Sequence, residues 1–222
     1  MATFDPKVTD FRNPVAPNLP LAPGEYERQF QDQFENILRL YFNQLDNAFG
    51  SLLGPTGGKY LKFPYGAFSS DQTQTTTVNT ATKMTLNTTD FSNGVSITSS
   101  KITVANAGIY NLQFSAQFQN TNVALQDVYI WLRQGNDGGT SADISGSTGF
   151  VSIPNSHGAV DGHAIIGWNY FLSMNANDYV EIWWSTTSAN VSIQYYAASG
   201  SPTKPSTQSV VATLSFVSRL PT

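Results

Sequence analysis

The sequence predicts a mainly-β sandwich preceded by one N-terminal α-helix and an extended proline-rich arm. Strand-like runs with turn residues between them fill the chain from about residue 66 to 217, and no helical pattern interrupts them, which is the spacing of a sandwich and not of a parallel sheet. Ahead of them, Tyr26, Phe30, Phe34, Ile37, Tyr41, Leu45 and Phe49 recur at three- or four-residue steps, the period of one helix face. Ahead of that again stand Pro6, Pro14, Pro17, Pro20 and Pro23, a density that forbids a helix.

In chain order, residues 1–23 hold isolated apolar side chains between the prolines, Phe4, Phe11, Val15 and Leu19 among them. Two readings stand for this segment. One is a flexible tail, because so little apolar surface cannot offset the entropy of ordering. The other is an anchoring arm whose spaced apolar side chains gain order by docking on a larger assembly.

The helix is expected from Gly24 to Leu53, with Pro23 and Gly24 at its start, Glu25 and Glu27 in its first turn, and Gly50 and then residues 54–58 ending it. Its stripe repeats at a step nearer 3.6 than 3.5, which favours a short, nearly straight bundle. Leu38, Leu40 and Phe42 widen the apolar surface. A helix this aromatic has to pack, either on its own domain or on copies of itself.

The strands are expected at 66–70, 82–86, 95–98, 101–104, 109–120, 127–133, 149–153, 163–174, 179–185, 191–197 and 209–217. The clearest is 109–120: Tyr110, Leu112, Phe114, Ala116 and Phe118 share one parity, and Asn111, Gln113, Ser115 and Gln117 share the other, so one face is dry and one wet. Residues 135–146 and 199–205 read as exposed excursions. Within them Asn136, Asp137 and Lys204 are the candidates for contact with a receptor.

Composition narrows the function. Only 12% of the 222 residues are charged, about half the usual fraction, and the net charge of -4 with a pI near 5.0 argues against a partner held through its phosphates. Nucleic acid is set aside. With no cysteine there is neither a disulfide framework nor a thiolate metal site. No window approaches the length of a membrane span, and the amino terminus lacks the basic and apolar regions of a signal peptide.

Chemistry-bearing patterns are few, and no cofactor or resident metal is expected. His157 and His163 are the only histidines and flank a turn containing Asp161, but a Ser156–His157 or Asp161–His163 pairing is half of a hydrolase site at most, and Asp161 serves equally as a turn residue. Asp127, Asp137, Asp143, Asp161 and Asp178 could offer oxygen to Ca²⁺, yet they lie in separate loops. No enzymatic site is expected. Trp131, Trp168, Trp183, Trp184, Tyr195 and Tyr196 could stack on sugars if exposed. In the adjacent pairs 183–184 and 195–196, alternation along a strand turns one ring of each outward, to meet solvent or a neighbouring subunit.

The series Phe91–Ser92–Asn93–Gly94–Val95, Lys101–Ile102–Thr103–Val104 and Gly108–Ile109–Tyr110–Asn111–Leu112–Gln113–Phe114 resembles the C1q/TNF-like jelly roll. Asn177–Asp178–Tyr179–Val180–Glu181–Ile182–Trp183–Trp184 and Ala212–Thr213–Leu214–Ser215–Phe216–Val217 resemble the family's late strands, so the likeness spans about 63–219. It implies a ten-stranded head that assembles as a tight homotrimer. The family's collagen stalk is missing, and the helix stands in its place.

A helical neck and a Pro-rich arm ahead of such a head resemble appendage and decoration proteins on virions of tailed bacteriophages. The resemblance implies three parts: residues 1–23 as an anchoring arm, 24–58 as a trimerisation neck with a Gly-rich joint, and 59–222 as the jelly-roll head. Phe30, Phe34, Ile37, Tyr41, Leu45 and Phe49 would line the neck; Phe4, Phe11, Val15 and Leu19 would anchor to a larger virion protein. Gln113 and Gln117 would hydrogen-bond between subunits. The expected function is a non-enzymatic fibre or appendage on the virion surface, made in a bacterial cytoplasm, whose head binds a host-surface glycan. The alternatives are a capsid decoration trimer without a receptor role and, in a different class, a soluble TNF-like ligand.

Overall fold

In the computed structural model, residues 15–53, 63–136 and 139–221 are described. The chain divides into two units between Lys62 and Phe63.

The first unit is built on α1, Arg28–Leu53. It starts later than the sequence suggests: the amide of Gln31 donates to the carbonyl of Glu27 at 3.2 Å, so Glu25 and Glu27 precede the first turn. It also runs through Gly50, whose missing side chain leaves open space beside it. An isolated glycine costs a helix only about 1 kcal/mol, and three more residues continue the turn.

The second unit holds, in chain order, β1 Tyr65–Ser70, β2 Gln74–Thr75, β3 Thr82–Lys83, β4 Thr88–Asn93, β5 Val95–Thr98, β6 Lys101–Val104, β7 Gly108–Asn120 and β8 Gln126–Asn136. These are followed by β9 Ala142–Asp143, β10 Gly149–Ile153, β11 Gly162–Met174, β12 Asp178–Thr186, β13 Val191–Ile193, β14 Ser199–Gly200, β15 Thr203–Lys204 and β16 Val210–Ser218. In the first sheet β11 lies along one side of β7, while β16 and then β13 share its other side; β1 follows β16, β4 follows β1, and β2 borders β13. The second sheet runs β10, β8, β12, β6, β5, with β3 on the free length of β12 and β9 on that of β8. The long strands pair as a nested set, β1 with β16, β6 with β12, β7 with β11 and β8 with β10, all antiparallel. A chain folded so that first meets last, second meets second-to-last and so inward is a jelly roll.

The dry parity of β7 fills the interior as expected: Tyr110, Leu112 and Ala116 are completely buried and meet Ile130, Leu132, Ile182 and Trp184 in one core. The edge strand β4 is not apparent in the sequence, because nearly all its residues are exposed and no alternation marks it. Gly94, at φ +66°, turns the chain from β4 of one sheet into β5 of the other. The expected strands 82–86 and 191–197 are shorter, ending at Lys83 and Ile193.

Candidate interaction surfaces

Three surfaces carry the side chains singled out by the sequence. The first is α1. Phe30, Phe34, Ile37, Tyr41 and Leu45 are only half covered, Phe49 is 54% exposed, and no described residue from 15 to 52 is buried. Phe30 and Phe34 stack at 6.2 Å, one turn apart on the same face. In the arm, Val15 is 77% exposed and Leu19 is exposed too; Phe4 and Phe11 lie outside the described residues. No described helix is long and apolar enough to cross a membrane.

The second surface is the outer face of the second sheet. Of the pair Trp183–Trp184, Trp184 is fully buried against Phe118 and Trp183 points out, as alternation requires. Trp183, half-buried, is partly covered by its own chain: the Arg133 guanidinium lies 4.0 Å from its ring centre, and its indole N–H donates to Glu181 Oε2 at 3.0 Å. Glu181, 4% exposed, pairs with Lys83 Nζ at 3.1 Å. Arg133 Nε donates to Asp143 Oδ1 at 2.7 Å, and so does Trp131 Nε1 at 2.9 Å. The bond from Arg133 holds the Asp143 carboxyl below its ordinary range, with Trp131 adding to it and partial burial opposing. Cations and rings thus partly cover one another: Trp184 is buried, and Trp131, Trp168, Trp183, Tyr195 and Tyr196 are each half-buried. Trp168 sits on the inward parity of β11, edge-on to Phe114 at 4.7 Å.

The third surface is the outer face of the first sheet. Gln113 is exposed between Asn169 and Thr213, and Ile165 (70% exposed), Phe171 and Val211 are apolar residues on the same parity. Near the Asn120 end of β7 the chain leaves this sheet at Gln194 and returns at Ser209, and the excursion carries β14 and β15. Between it and β11 runs a groove of about 570 Å³, lined by Gln117, His163, Ile165, Tyr196, Lys204 and Thr207. Tyr196 was expected to alternate with Tyr195 along a strand; instead both belong to the excursion, where Tyr196 pairs with Thr207 through backbone hydrogen bonds in both directions.

The receptor-loop candidates do not come together. Asn136 pairs with Asp178, beyond the Met174–Gly108 end of the β7–β11 ladder, whereas Lys204 borders the groove near its other end. At about 3.3 Å per residue β7 is about 40 Å long, so the two loops belong to opposite ends of the sandwich. Asp137 lies outside the described residues.

The remaining chemistry-bearing groups are dispersed. Asp161 accepts from Gln119 Nε2 at 2.6 Å, His163 Nδ1 faces Tyr196 Oη at 3.5 Å, and Ser156 Oγ donates to the carbonyl of Thr121 at 3.3 Å. No hydrogen bond joins the described side chains of Ser156 and His157, or of Asp161 and His163. Asp127, Asp143, Asp161 and Asp178 have four separate sets of partners, Ser152, Arg133, Gln119 and the Asn175 amide respectively, and the described residues hold no cluster of metal-ligating side chains.

No protein family matches this chain, and no curated protein matches it. Among solved structures it is similar to the Eiger TNF of S. frugiperda, with 10% identity over 72% of this chain and 96% of that one and a TM-score of 0.48. It is also similar to murine APRIL in a crystal structure at pH 5.0, with 10% identity over 70% and 100% and a TM-score of 0.47. The jelly roll itself follows from the nested strand pairing, and the chain is a mainly-β jelly-roll sandwich with one N-terminal helix.

Proposed function

We propose that this protein is a non-enzymatic structural homotrimer, joined through α1 and tethered by the arm 1–23 to a larger particle, a bacteriophage virion, on which its head is displayed to the host surface. One observation carries the reading: a helix about 39 Å long, from its 26 residues at 1.5 Å each, carries an aromatic stripe of which no described residue is fully buried. Each large apolar residue buried in a helix seam contributes roughly 1.5–3 kcal/mol, so Phe30, Phe34, Ile37, Tyr41, Leu45 and Phe49 supply ample drive for copies to associate. The threefold number comes from the resemblance to C1q/TNF-like heads. On the sandwich, Phe171 and Val211 are exposed apolar residues and suit contact between heads.

The arm then acts by avidity, three weak attachments holding far more tightly than one. Sedimentation of the full chain tests the association: a trimer is expected, and Ile37→Asp, which places a charge in the seam, shifts it to monomer with the β signal in circular dichroism intact. A monomeric wild-type chain at micromolar concentration refutes the reading. Deleting residues 1–23 tests the tether separately, since it leaves a trimer that no longer copurifies with the particle.

A further inference from the structure

We propose that the groove between the 195–208 excursion and β11 binds a carboxylated sugar of a surface glycan. This rests on the display half of the proposed function and is independent of helix association. The groove lies in the half of the sandwich away from the point where β1 begins: the amide of Phe216, which is opposite Tyr110, donates to the carbonyl of Pro64, whereas Gln117 and His163 lie toward the Asn120 end of β7.

Its polar lining is made of donors. Gln117 presents an amide, His163 an imidazole, Tyr196 and Thr207 hydroxyls and Lys204 an ammonium, and none of the lining residues is acidic. The carboxylate two residues before His163, Asp161, is engaged by Gln119 Nε2 at 2.6 Å. Among the described residues the side chains of Gln117, Lys204 and Thr207 have no hydrogen-bond or ion-pair partner, and Tyr196 Oη has only the long contact of 3.5 Å to His163. Lys204 Nζ stands 5.3 Å from the Tyr196 ring centre, held over the groove wall. Unspent donors in a groove bordered by a cation favour an anion. The apolar part of the lining, Ile165 and the Tyr196 ring, supplies a flat surface for the C–H face of a pyranose, and the volume is within the range of small-molecule sites. Acidic sugar satisfies both halves; a bare anion leaves Ile165 and the ring unused. Gln117 is thereby assigned to a ligand in place of a neighbouring subunit.

The test uses the full chain, with the methyl glycosides of N-acetylneuraminic acid, glucuronic acid and galactose as probes, followed by saturation-transfer NMR and calorimetric titration. At least one acidic glycoside is expected to bind and the neutral one to bind at least tenfold more weakly, the discrimination of one charge-assisted hydrogen bond. Lys204→Met is expected to weaken binding by roughly tenfold, and Tyr196→Ala to weaken it while sedimentation shows the same assembly as wild type. Lys101→Met, which alters a cation over the Tyr179 ring 4.1 Å away and outside the groove, leaves affinity unchanged. The proposal is overturned if neither acidic glycoside binds at millimolar concentration, if galactoside binds equally, if sulfate competes as well as the sugar, or if Lys204→Met has no effect. A wild-type chain that assembles but binds neither acidic glycoside sinks this inference alone; a wild-type chain that binds one but stays monomeric sinks the helix reading alone.

Discussion

Replacing Lys83 by Met removes the cation 3.1 Å from Glu181 and leaves a carboxylate that is 4% exposed without its main partner. At an effective dielectric of about 20 the pair's gross attraction at that distance is about 5 kcal/mol, and breaking one member of a buried pair costs roughly 3–5 kcal/mol. Two features reduce this. The Lys83 side chain keeps 29% of its surface in water, and Arg133, opposite Glu181 in the ladder, continues to offset its charge. We expect a loss of roughly 2 kcal/mol, which for a protein of this size lowers Tm by roughly 4–8 °C. Thermal unfolding followed by circular dichroism measures it, at one fixed protein concentration, since the association proposed above would make Tm depend on it. Adding Glu181→Gln to the variant removes the orphaned charge while keeping an acceptor for Trp183, and should restore at least half of the loss. A single variant within about 0.5 kcal/mol of wild type, or a double variant less stable than the single, would refute the account of a charge that needs its partner.

Ser99 turns the β5–β6 hairpin at φ +51°, where a side chain is strained, and only its carbonyl is used, accepting from Lys83 Nζ at 2.7 Å; Ser99→Gly should raise stability by about 0.5 kcal/mol in urea unfolding, and a loss of that size counts against the strain. Asp143 has its carboxyl held below the ordinary value of 3.8 chiefly by the Arg133 hydrogen bond, so the stability it contributes is present above that value and disappears as pH falls through the lower folded value. Asp143→Asn should therefore be less stable than wild type at neutral pH by under about 1 kcal/mol, since its side chain is half exposed, and the gap should close in the acid range; a gap independent of pH contradicts this assignment.

Much of the head was legible because burial on one side imposes a period of two. Strands β5, β6 and β10 stand where alternation and turn residues put them, and β7 differs by one residue. What alternation could not supply was what covers an outward ring. That Trp183 faces out follows from its neighbour Trp184 facing in, but its cover comes from Arg133 on β8, while Lys83 on β3, its partner in register, holds the Glu181 that accepts from it. Neither residue carries a local signal of that role. The strand β4 was illegible for the opposite reason: at an exposed edge of the first sheet no core demands a pattern from it, and only pairing with β1 makes it a strand.

The groove shows how a site can depend on register alone. Both β13 and β16 seek the same side of β7: Ile193 pairs with Phe118, and Val210 with Ala116. At Gln117 between them, the backbone carbonyl accepts from Gln194 and the amide donates to Ser209, so one residue of β7 marks the end of one neighbour and the approach of the other. Two strands cannot occupy one length of ladder, and the chain joining them must leave the sheet there. Residues 195–208 are that displaced chain. The sequence pattern instead extends the strand to residue 197, because Tyr195, Tyr196 and Ala197 have the character of strand residues and nothing local reports that Ser209 has taken the next position. Tyr196 and Lys204 are consequently carried out over Gln117, opposite His163 and Ile165 of β11, and a wall of donors forms where a plain continuation of β13 would have left a flat sheet.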